Sequence, residues 1–191
     1  RHVIAGHPGR VKVLAFVNQG NMGSYNDAVA LGQQTGTTPD TSQVRRFASR
    51  PGFAINAEQE LAAGVGAFAR FSMNDGSKET FEFTDINQSI SGGLSLAGDL
   101  WGRHGDGIGM AFVVNGLSGD ARRYFEAGGL GVLIGDGALR YGTERIAEIY
   151  YRWAVVSHLS VSLNFQYVMH PGYNRDRGPV PIIGTRIHAE F

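Results

Sequence analysis

Eight ionisable side chains fall where alternating strands would turn them to one face: Glu58, Glu60, Arg70, Glu148, Arg152, Arg186, His188 and Glu190, with Tyr150 on the Glu148 side. Arginine carries a fork of donors that can bond vicinal hydroxyls, and an aromatic ring can cover the less polar face of a sugar, so this mixture suits hydroxylated solutes. A second reading stands beside it, in which the same charges form a solvated ladder that holds strand register. Glu148 and Arg152 are four apart on one strand, about 13 Å at ~3.3 Å per residue, too far to pair directly. They must pair across strands or face water.

Catalytic and metal chemistry find little support. The six histidines, His2, His7, His104, His158, His170 and His188, are scattered without a helical HExxH or any close-paired spacing. No GxSxG elbow is present. His158 with Ser160 is the one pair that a membrane-embedded lipid hydrolase could use, and a turn histidine next to an inward serine is the plainer description. The run GGLGVLIGDG (Gly128 to Gly137) has glycines at spacings that fit neither the dinucleotide nor the P-loop pattern. No cofactor and no metal are expected, and the chain reads as a non-enzyme.

Composition agrees. The 191 residues include 28 glycines and no cysteine, so disulfide scaffolds and thiolate metal sites are excluded. Seventeen basic against seventeen acidic side chains give zero formal charge, which argues against a nucleic-acid partner. No apolar run reaches the ~18 residues of a spanning helix.

The elements that would position the charged face are strands of period two. In Leu159 to Tyr167, Leu159, Val161, Leu163, Phe165 and Tyr167 share one side while Ser160, Ser162, Asn164 and Gln166 share the other. Ile183, Ile187 and Ala189 oppose Arg186, His188 and Glu190, and Val65 to Asn74 and Ile108 to Asn115 divide likewise. Val11 to Gln19, Phe53 to Leu61, Ser89 to Leu100 and Arg145 to Ala154 complete about eight strands, each near the ~9–11 residues that a tilted transmembrane strand needs. Tyr151 and Trp153 fit an interfacial aromatic girdle.

Connection lengths alternate. Ala62 to Gly64, Trp101 to Asp106 and Val155 to His158 are short, whereas Gly20 to Pro51, Asp75 to Asn87 and Leu117 to Glu144 are long. Short turns at one rim and long loops at the other are the habit of outer-membrane barrels. Two long loops carry helix signals: Ser24 with Asp27, closing near Gly32, and Ser118 or Asp120 before Ala121 to Ala127, closing at Gly128. If the apolar stripes meet lipid, the opposite stripes line a wet interior, since a midplane Arg or Lys on the lipid side costs ~2–4 kcal/mol.

Several segments, VLAFVNQGNMGSYNDAVA, GAFARFSMNDG, GMAFVVNGLSGDARRYFEAGGLGVLIGDGALRYGTERIAEIYYRWAV and HPGYNRDRGPVPIIGTRIHAEF, resemble the OprB-type carbohydrate-selective porins over nearly the whole chain. The resemblance implies an all-β transmembrane antiparallel barrel of 16 strands, of which residues 1–191 would be the C-terminal half of a single domain, with short helices in extracellular loops. It implies an integral protein of the Gram-negative outer membrane that passes monosaccharides such as glucose and other small polar solutes without catalysis. Expected partners are those sugars, the lipid bilayer with its lipopolysaccharide, the barrel assembly machinery acting on a C-terminal Phe191, and other copies in a homo-oligomer. Solute contacts are expected from Glu58, Arg70, Glu148, Tyr150, Arg152, Arg186, His188 and Glu190. Two other readings are an eight-stranded ring closed on itself and a structural or adhesive barrel whose long loops bind partners.

Overall fold

The computed structural model describes residues 1–80, 85–132 and 134–190. Nine strands form one antiparallel meander in sequence order: β1 (His2–Ile4), β2 (His7–Gly23), β3 (Arg45–Ala62), β4 (Val65–Asn74), β5 (Gln88–Ala97), β6 (Gly107–Gly116), β7 (Glu144–Val156), β8 (Leu159–Met169) and β9 (Val180–Ala189). Helix α1 (Tyr25–Thr35) lies in the β2–β3 loop and α2 (Gly119–Glu126) in the β6–β7 loop. No helix among the described residues is long and apolar enough to cross a membrane.

The alternation of loop length holds along the whole sheet. Tight connections at 5–6, 63–64 and 157–158, with the 98–106 segment, lie at one rim; 24–44, 75–87, 117–143 and 170–179 lie at the other. Ala5 and Gly6 both have positive φ, as a two-residue turn that matches the strand twist requires.

The strands also run beyond their alternating stretches. Gly20 to Pro51 reads as loop in the sequence, yet Gly20 to Gly23 pair with Ala48 to Arg45 in an unbroken ladder. The hydrophobic pattern fails there because inward residues of that rim are covered by loops, so polarity no longer separates the two faces. β1 is a ninth strand beyond the expected eight or so, too short to show a period. Ser89 to Leu100 ends as a strand at Ala97, after which Gly98–Trp101 forms a 3-10 turn. Helix α1 passes through Gly32 and stops at Gly36, whose left-handed conformation (φ 67°) caps it; Ser24 accepts the Asp27 amide at 3.2 Å at its start.

Among the described residues β1 pairs only with β2 and β9 only with β8, so the sheet does not close on itself. An eight-stranded ring is therefore ruled out. Each free edge exposes a row of backbone donors and acceptors, which within hydrocarbon would cost several kcal/mol per unpaired group. Both edges call for strands from elsewhere.

The dry core is not in the sheet. It lies in the long-loop cap, where Tyr25 and Ala28 of α1 meet Leu117, Ala121, Tyr124 and Phe125 around α2, joined by Leu139 and Tyr173. Tyr25 lies 5.0 Å from Tyr124 and 6.0 Å from Phe125, centroid to centroid. Ala121, Tyr124 and Phe125 share one stripe of α2, and Leu117, which precedes the N-cap Ser118, packs with them. Each large side chain removed from water there contributes roughly 1.5–3 kcal/mol.

Candidate pore lining

Cross-strand register assigns every strand residue to a face. One face carries Val13, Ile55 and Phe71 in one row and Trp153, Val161 and Ile187 in another, with Leu163 and Phe165 between neighbouring strands. These side chains stand open: Leu163 is 59% exposed, Phe165 42% and Ile187 72%. Among the described residues no second layer packs on them, so this face needs an apolar medium outside the chain. Trp101 and Tyr151 stack at 6.3 Å near the short-turn rim, with Trp153 beside Tyr151 on the same face. There Asp106 accepts from the Tyr151 hydroxyl, from Arg103 at 2.6 Å and from the Ala154 amide at 2.8 Å. Those donors, the Tyr151 hydroxyl first, hold its carboxyl down at about 2.

The opposite face gathers the candidate residues in two groups. On β2 to β4, Glu58 accepts from Asn56 at 2.9 Å and meets Lys12 at 4.0 Å. Arg70 donates to Asn56 at 3.1 Å and lies 4.9 Å over the Phe68 ring. Glu60 pairs with His7 at 3.5 Å. On β7 to β9, Glu148, Tyr150, Arg152, Arg186 and His188 line one hollow with Ser160, Ser162 and Asn164. Glu148 accepts from Asn164 at 2.8 Å and Gln166 at 3.2 Å, a cross-strand pairing that agrees with its distance from Arg152. Glu190 follows β9, where it pairs with His188 at 3.7 Å. Between the two groups β5 and β6 present mostly small residues inward, Ser91, Gly93 and Ser95 against Val113, Ala111 and Gly109, which keep that wall low. The candidates thus share a face without forming a single cluster.

Three inward aromatic rings lie down rather than project. Phe16 covers Gly52, Phe68 covers Gly93 and Tyr150 covers Gly109, each across a direct register pair. A β-carbon at these glycines would fall 2.4, 2.6 and 2.2 Å from the respective rings. At Gly52 and Gly109 the ring leaves no room for a side chain; at Gly93 the Met110 carbonyl, 2.2 Å from such a β-carbon, is closer still than the Phe68 ring. Arg10, Lys12, Phe16 and Phe68 were not among the expected site residues. Arg10 and Lys12 were legible, since they alternate with Val11 and Val13; the two phenylalanines were not, because an inward aromatic breaks the polar stripe.

At the long-loop rim the cap turns inward. Met22 and Arg50, both on the inner face, are 0% and 5% exposed, whereas Asn21 and Phe47 on the outer face stay open. Arg50 donates to Asn74 and to the Asp75 carbonyl, both at 2.8 Å. Asn87 donates to Asn74 at 3.3 Å and accepts the Ser118 amide at 2.8 Å, which ties the start of α2 to the wall. Arg46 pairs with Asp27 of α1 at 2.9 Å. Burial raises the Asp85 carboxyl within the cap, partly offset by Arg50 and by donation from Thr80 and Tyr25. The cap therefore covers the inner face of the sheet at this rim.

One face without a covering layer, one face of paired charges and small residues, and loops folded over the second describe a section of pore wall. A family model for the carbohydrate-selective porins of the OprB family matches residues 5–191. The chain belongs to the OprB family. A solved structure, the high-pH structure of Pseudomonas putida OprB, is similar with a TM-score of 0.79 at 22% identity. The match covers 98% of this chain and 46% of that one, so the OprB-family chain described here spans about half of that relative's length, and its open sheet corresponds to half of an OprB barrel. No curated protein matches it.

In this OprB-family chain the pair that a lipid hydrolase could use, His158 with Ser160, is not joined among the described residues; His158 lies 3.3 Å from the Ser157 hydroxyl in the β7–β8 turn. Among the same residues no group of histidines and carboxylates is placed to hold a metal ion. Phe191, expected to meet the assembly machinery, lies outside the described residues.

Proposed function

We propose that this chain is the C-terminal half of an outer-membrane porin through which carbohydrates and other small polar solutes diffuse passively. One observation carries the reading: a single sheet has an apolar face with nothing over it and a charged, hydroxyl-rich face that the long loops partly cover. Hydrocarbon satisfies the first face and water the second. Solutes are selected by width and by hydrogen bonding along the wall, with no bond made or broken and no cofactor required. Monosaccharides such as glucose suit the mixture of donors, acceptors and flat rings at Glu58, Arg70, Glu148, Tyr150, Arg152 and Arg186. The apolar belt meets the bilayer, the long-loop rim faces lipopolysaccharide, and Phe191 is the residue offered to the assembly machinery.

The complete protein reconstituted in planar bilayers tests this. Discrete ion conductance that falls as glucose is added is the expected result. Absence of conductance, or conductance indifferent to glucose, overturns the proposal.

A further inference from the structure

The β7–β9 wall carries a charge imbalance that a neutral sugar does not compensate. Arg152 is in register with Ser162, and Ser162 with Arg186, so two guanidinium-bearing positions flank β8 on the inner face. Two interstrand steps separate them, about 10 Å between backbones, within the joint reach of two arginine side chains. Among the described residues neither arginine is in an ion pair. Arg152 donates to the Gly105 carbonyl at 3.1 Å and keeps its other donors free, and Arg186 donates to no protein atom among those residues. Glu148, the carboxylate of the same hollow, is engaged by Asn164 and Gln166. His188 is matched by Glu190 at 3.7 Å. On the other wall the cations have company: Lys12 meets Glu58, and Arg70 has Asn56 and the Phe68 ring.

Resting on the porin reading, we infer that the hollow between β7 and β9 is a subsite for a sugar acid, a polyhydroxylated solute bearing one carboxylate. The two arginine forks receive the carboxylate, Ser162 and Asn164 meet hydroxyls, and the Tyr150 ring, lying across Gly109, supplies the flat apolar surface. Charge-assisted bonds to a carboxylate are roughly twice as strong as neutral ones, and the planar guanidinium matches that anion's geometry. A neutral sugar leaves both charges uncompensated.

The test uses the complete protein in planar bilayers, with gluconate and glucose as blocking solutes. Gluconate is expected to halve conductance at a concentration about tenfold below that of glucose, the equivalent of ~1.4 kcal/mol. The double variant Arg152→Gln/Arg186→Gln should bring the two solutes together by weakening gluconate far more than glucose. If that pair does not insert, Arg152→Gln and Arg186→Gln singly should each remove part of the difference. Gluconate blocking no better than glucose, or variants that leave its block unchanged, overturns the subsite while glucose block still upholds the porin. No conductance at all overturns both.

Discussion

At the scale of single residues, the inner wall is shaped by what lies flat on it. Tyr150 occupies the space where a side chain at Gly109 would stand. Gly109→Val should lift the ring into the lumen and cost roughly 1–3 kcal/mol of stability through overpacking. Single-channel conductance should fall, and an unchanged value would show that the ring does not border the path. Asp106 belongs to the same scale. Its folded carboxyl titrates near 2, below the ordinary value of 3.8, because the Tyr151 hydroxyl and Arg103 favour the charged form. The stabilisation is complete above the ordinary value and is lost as pH falls from about 4 toward 2. Thermal melting in detergent should therefore drop over that interval, and Asp106→Asn should flatten the drop. The sequence reveals the charged stripe at Glu148, Arg152 and Arg186 because most of the alternate positions, Ala147, Ile149, Tyr151, Trp153, Ile183 and Ile187, are apolar, with Thr185 an exception. It hides the role of Gly52 and Gly109, since each answers to a ring on another strand.

At the scale of elements, legibility follows solvent. β8 is readable from Leu159 to Tyr167 and β9 from Ile183 onward, where composition alternates with the pleat; Val180 to Ile183 is apolar on both faces and carries no period. β2 and β3 are readable only in their middle. Toward the long-loop rim Met22 and Arg50 are buried by the cap, and a buried methionine and a buried arginine give no common polarity to the inward face. The cap is a separate packing problem, solved by helical stripes rather than by alternation. Ser24 and Ser118 mark where its helices begin, but nothing local shows that α1 and α2 meet. Phe125→Ala should cost about 3–5 kcal/mol within that small core. Limited proteolysis should then cut within 117–143 far sooner, while the melting of the sheet stays nearly constant. Equal loss of both would show that cap and sheet fold as one unit.

At the scale of the whole molecule, the sheet makes sense only as part of something larger. It has two unpaired edges and an outer face with nothing upon it, and it corresponds to 46% of the similar OprB chain. The strand rhythm and the loop alternation were legible in the sequence because they repeat; the number of strands that would close the sheet was not, because an open sheet with two free edges does not fix it. Two-sidedness also sets the cost of a misplaced charge. Leu163→Arg should destabilise the inserted protein by ~2–4 kcal/mol, and Asn164→Arg, one residue on, by far less, as read from urea-induced unfolding in lipid vesicles. The most direct measurement scans single cysteines along Leu159 to Tyr167, a stretch of a chain that has no cysteine of its own. In the membrane-inserted complete protein, positions 160, 162, 164 and 166 should react with a water-soluble thiol reagent, and 161, 163 and 165 only with a lipid-soluble one. Uniform reactivity, or the reverse assignment, would contradict a wall with hydrocarbon on one side and water on the other.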